Sequence, residues 1–120
     1  MAKYLLIMHM NPTLWAGLTD DQKNEVYEGH GKFHQLISES GEMIETKALA
    51  DPDATKTVRI REGATDVASG PFVESEAFLC GYYVVDVESE ERAVELAGQI
   101  PDAKHTAIEV RKVIHEAGPA

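Results

Sequence analysis

Apolar side chains along this chain fall into two rhythms. Residues 3–10, "KYLLIMHM", and 78–87, "FLCGYYVVDV", are apolar at nearly every position, the pattern of strands with no solvated face. In "KTVRIREGATDVAS" (56–69), Val58 and Ile60 alternate with Arg59 and Arg61, which predicts a hairpin turning at Glu62-Gly63. "EMIETKAL" (42–49) and "TAIEVRKVI" (106–114) read as two further strands. Between residues 20 and 40 the rhythm changes: Val26, Phe33 and Ile37 recur at helical spacing. Thr19 and Gln22 form a capping-box pair ahead of that helix, with Asp20 and Asp21 in its positive first turn and Gly41 where a C-terminal cap belongs. A shorter helix begins after Ser89, with Glu90 and Glu91 at its start, and ends near Ile100-Pro101. "NPTLWAGL" (11–18) is expected to be a loop, Pro12 stopping the strand before it, and "DPDA" (51–54) a turn.

The predicted order is strand, helix, strand, hairpin, strand, helix, strand. That is the ferredoxin-like α+β sandwich, βαβ-ββ-βαβ, with an added β-hairpin. One domain should occupy residues 1–115, with 116–120 a loose tail. Two helices cover only one face of a sheet, yet the strands at 3–10 and 78–87 are apolar on both sides. The uncovered face therefore predicts a homodimer through the open sheet face.

Composition narrows the function. The chain has 120 residues and a net charge of −10, from 21 acidic against 11 basic residues. Nucleic acid and anionic membrane surfaces, which need clustered Lys or Arg, are disfavoured as partners. "YLLIM" is too short for a membrane span or a signal-peptide core. The single cysteine, Cys80, leaves no internal disulfide framework, and a reducing, cytoplasmic location is expected. Walker, dinucleotide-binding and nucleophile-elbow motifs are absent.

Candidate chemistry centres on "EGHGKFHQLI" (28–37). Each of Gly29 and Gly31 costs a helix about 1 kcal/mol against alanine. His30 falls about 40° from Val26 at the edge of the buried stripe, so it should look into the seam between helix and sheet. The two glycines thin the helix around it, either to admit a ligand or to let another chain segment approach. His34 lies further round on the same side and could also line the cleft. His30 and His34 have the i, i+4 spacing of metal ligands, but "HGKFH" lacks the glutamate of a zincin helix and no further ligands are apparent, so neither a metal nor a cofactor is expected. In "SGPFVESEAFLCGYY" (69–83), a Gly-Pro turn delivers Phe72, Glu74 and Glu76 to the start of an apolar strand. Glu74 could orient His30 as a general base, or be a solvated loop charge. Tyr82 and Tyr83 point to opposite faces, so one of them at most lines a given cleft. Phe33, Phe72 and Tyr83 would supply apolar walls. His9 could line the same cleft or simply end its strand, and Cys80 reads as a small core residue.

"SGPFVESEAFLCGYYVVDVESEERAVELAGQIP", with "KYLLIMHM" and "TKTVRIREG", resembles the DGPF branch of the YCII-related family over nearly the whole chain, most specifically at Gly70-Pro71-Phe72 and Gly81-Tyr82-Tyr83. The resemblance implies a dimeric α+β barrel, with paired sheets and a cleft between helix and sheet. It implies a helix histidine as active-site residue, matched by His30, and an acidic partner after the Gly-Pro pair, matched by Glu74. The opening aspartate of the motif is Ser69 here. The resemblance assigns no single activity, and two readings stand. One is a cofactor-free acid-base enzyme, of lyase or isomerase type, on a small cyclic or aromatic molecule. The other is a non-catalytic dimeric module that binds a ligand or protein in an accessory regulatory role.

Overall fold

The computed structural model describes residues 1–119; Ala120, at the end of the expected tail, lies outside them. Strand β1 (Ala2–Met10) leads into a short helix α1 (Pro12–Ala16) and the long helix α2 (Asp20–Glu39). Strand β2 (Met43–Ala48), a 3₁₀ turn (Pro52–Ala54) and the hairpin β3 (Lys56–Arg61) and β4 (Ala64–Ser69) follow. Strand β5 (Phe78–Val87), helix α3 (Glu90–Ala97), a second 3₁₀ turn (Pro101–Lys104) and β6 (Ile108–Lys112) complete the chain. Four strands form an antiparallel sheet in the order β2-β5-β1-β6, and β3-β4 is a separate two-stranded ribbon. This is the α+β, ferredoxin-like arrangement that the element order predicts.

Local chemistry fixes the helices as expected. The Thr19 hydroxyl accepts from Gln22 N–H, and the Gln22 side chain accepts from Thr19 N–H, closing the capping box. At the other end, Glu42 N–H reaches Ile37 O and Gly41 N–H reaches Ser38 O, a Schellman closure that turns the chain into β2. The Ser89 hydroxyl caps α3 at Arg92 N–H. The stretch expected to be a loop is in part helical: Asn11 accepts from Leu14 N–H and Pro12 takes the first helical position, so the residue that ends β1 also begins α1.

The core lies between the helices and one face of the sheet. Leu6, Ile37, Val85, Val87, Leu96 and Ile100 are fully buried there. By strand alternation Leu5 and Ile7 of β1, and Tyr82 and Val84 of β5, point to the other face, and all four are only half-buried. The β3-β4 ribbon turns through positive φ at Glu62 (49°) and Gly63 (79°), as a two-residue hairpin requires. It stands away from the sheet, with Val58, Ile60 and Val67 exposed. The radius of gyration, 16.4 Å, exceeds the roughly 13–14 Å of a compact chain this long, as a projecting arm would make it. Among the described residues no helix is long and apolar enough to cross a membrane.

Candidate active site

Helix α2, strand β5 and the turn after α3 converge on His30. Val26, Phe33 and Ile37 bury one stripe of α2, which leaves His30 at the stripe's edge facing the sheet. Its Nδ1 lies 2.8 Å from the Tyr83 hydroxyl, and its Nε2 lies 2.7 Å from Asp102 Oδ1. The Tyr83 ring runs nearly parallel to the imidazole, at 15° and 6.0 Å between centroids. Phe33 packs edge-on against the same tyrosine at 4.8 Å and holds it in place. The side chains of His30 and Asp102 keep 27% and 18% exposure, so water or a ligand can reach them.

Gly29 explains how Asp102 arrives. A Cβ at Gly29 would come nearer than 3.0 Å to Pro101 Cγ, and to 3.3 Å of Pro101 Cβ. Only a residue without a side chain lets the proline ring press against α2, and that contact brings the next residue, Asp102, onto His30. Gly31 has open space around it, with nothing within 4 Å of an added Cβ. Of the two readings of the glycine pair, Gly29 thus admits a segment of this same chain, while no contact requires Gly31.

Donor and acceptor roles follow from the partners. An aspartate carboxylate can only accept, so Nε2 carries the proton in the neutral imidazole. Nδ1 is then bare and accepts from the Tyr83 hydroxyl. Burial first, and then the Asp102 charge, push the Tyr83 hydroxyl up to about 12, which keeps it protonated at neutral pH. The same two causes raise the Cys80 thiol to about 11. Cys80 is therefore an uncharged core thiol, as expected from its place in the strand, with Sγ 3.5 Å from Met8 O.

The carboxylate that meets His30 is thus Asp102, and Glu74 does not reach it. Glu74 is exposed in the 70–77 segment that links the ribbon to β5, and it makes no side-chain hydrogen bond among the described residues. Phe72 is likewise on the surface, 5.0 Å beneath the Arg59 guanidinium, and forms no wall of this site. Phe33 and Tyr83 do meet at His30. His34, one turn on, is exposed. His9 ends β1 with its Nε2 on Glu109. It shares with Asp102, Trp15, Val26, His105 and Thr106 a crevice of about 30 Å³, which is room for a water and not for a substrate. Among the described residues no three His, Cys, Asp or Glu side chains come together to hold a metal ion. Asp102 escaped the sequence reading because 72 residues separate it from His30. The one local signal was a glycine beside the histidine, which announces a close approach without naming what approaches.

The chain is thus a small α+β, ferredoxin-like protein with a histidine held between a carboxylate and a tyrosine at the helix–sheet seam. The YCII-related domain matches residues 2–117, nearly the whole chain, and the protein belongs to that family. An uncharacterized protein of Rhizobium meliloti (strain 1021) is 23% identical over 100 residues, covering 83% of this chain and 81% of that protein.

Proposed function

We propose that this YCII-related protein is an acid-base enzyme, of lyase or isomerase type, acting on a small cyclic or aromatic molecule without a cofactor. The observation that carries the reading is the three-membered chain Tyr83 hydroxyl, His30 imidazole, Asp102 carboxylate. Asp102 holds the ring in one tautomer and would stabilise the imidazolium formed when His30 gains a proton. Both ring nitrogens are occupied, so the Tyr83 hydroxyl is the natural point of proton exchange. It would take a proton from the substrate while passing its own to Nδ1, and the reverse transfer would return one.

Two measurements test this. In a ¹⁵N NMR spectrum of the imidazoles, His30 should show the Nε2–H tautomer, lost in Asp102→Asn and retained in Glu74→Gln. Deuterium exchange into a panel of cyclic carbon acids in D₂O then reads proton abstraction directly. Exchange by the wild type that His30→Gln abolishes supports the enzyme. An ordered tautomer with no exchange in either protein favours the non-catalytic binding module.

The open sheet face supports a second proposal, a homodimer. One face of an antiparallel sheet is ordinarily solvated and polar. Here its centre is Leu5, Ile7, Tyr82 and Val84, fringed by Glu45, Glu109 and Arg111. Burial of that apolar strip against its own copy would be worth roughly 25 cal/mol per Å² of area removed from water.

A further inference from the structure

We infer that the hollow at the C-terminal end of β1 is a binding site for a small organic cation with a flat apolar body. The hollow is open to solvent and has a volume of about 570 Å³, within the roughly 300–1,000 Å³ of small-molecule sites. Met10 from the end of β1, Trp15 from α1, Pro52 from the first 3₁₀ turn and Phe78 from the start of β5 supply its apolar walls. The charged groups that line it are Asp51 and Asp53, with no lysine or arginine among them. Neither carboxylate is in an ion pair among the described residues, and Asp51 leaves its own turn uncapped. Two unpaired carboxylates at the rim of an apolar cavity favour a ligand that carries positive charge and repel an anionic one. Trp15 already attracts a cation: Lys23 Nζ stands 5.7 Å from its ring centroid, outside the lining of the hollow.

The hollow neighbours the small crevice that Asp102 lines. Met10 and Trp15 line both, whereas His30 and Tyr83 line neither. The inference concerns binding alone and does not rest on the acid-base reading.

Trp15 is the one tryptophan of the chain, so its fluorescence reports the hollow directly. The probes are 2-phenylethylammonium and the size-matched 3-phenylpropionate, titrated at physiological salt to screen the general negative charge of the protein. The ammonium should give a saturable change with at least tenfold tighter binding than the carboxylate. Asp51→Asn/Asp53→Asn should remove most of that preference, whereas Glu74→Gln/Glu76→Gln should keep it. His30→Gln should bind the ammonium as the wild type does, so a failed acid-base reading leaves this result standing. The inference is overturned if the ammonium does not saturate, if the carboxylate binds equally well, or if the paired asparagine substitution leaves the preference intact.

Discussion

Replacing Gly29 with alanine would put a methyl group where the Pro101 ring already stands. The added Cβ falls inside 3.0 Å of Pro101 Cγ, and a proline ring has no rotamer by which to withdraw. Either α2 or the 101–104 turn must shift, and overpacking of this kind costs about 1–3 kcal/mol. Against that, alanine gains about 1 kcal/mol over glycine in a helix interior. Gly31→Ala is the internal control, with the same helix and the same substitution but open space around the new methyl. It should stabilise by close to the full 1 kcal/mol, or roughly 3–6 °C in Tm for a domain of this size. Gly29→Ala should fall about 1–3 kcal/mol below it in urea unfolding. The shift should also reach the site, because Asp102 follows Pro101: the His30 Nε2–H signal should weaken in Gly29→Ala and persist in Gly31→Ala. Equal stabilisation by the two alanines would refute the reasoning, since it would mean that Pro101 does not press on the helix.

Other consequences follow from the ionisable groups and the open face. Arg92 donates from Nε and Nη2 to both oxygens of Glu42, and that hydrogen bonding holds the Glu42 carboxyl below its ordinary value of 4.5. A carboxyl depressed in the folded state contributes stability above its unfolded pKa and loses it as pH falls through the folded one. Glu42→Gln should therefore cost about 1–2 kcal/mol at pH 7, and the gap to the wild type should narrow as pH falls below 4.5, with urea midpoints as the measure. Tyr83 has the opposite sign. With its hydroxyl raised from 10.0 to about 12, its contribution is complete below pH 10 and is lost as pH rises through 12, so unfolding midpoints should fall less steeply above pH 10 in Tyr83→Phe. Cys80, pushed up to about 11, should react with a disulfide reagent far more slowly at pH 8 than a free thiol, and a burst of labelling there would contradict its burial. Val84→Lys, placing a charge in the apolar strip, should convert a dimer to monomer in sedimentation; an unchanged sedimentation coefficient would rule out association through this face.

Much of the fold was legible because its signals are local. A capping box, a hairpin turn and alternating or helical spacing each lie within a few residues, and the structure carries all three at Thr19–Gln22, Glu62-Gly63 and Val26–Phe33–Ile37. Short-range readings failed where one residue serves two elements, as at Pro12, which ends β1 and starts α1. By itself the sequence determined the order of the strands and of the two longer helices, the face of α2 that is buried, and the placing of His30 at its border. It also marked that border with glycine. What it left open was the partner. Glu74 follows a Gly-Pro turn and looked positioned, but its segment leaves the ribbon on the exposed side of the molecule. Asp102 went unremarked in the sequence, and only the packing of Pro101 into the notch at Gly29 carries it to the imidazole. Helix spacing fixes the direction of a side chain, because the backbone geometry repeats. Which distant segment fills the space it faces depends on how α2 and α3 pack together on the sheet, and that is decided by the tertiary structure.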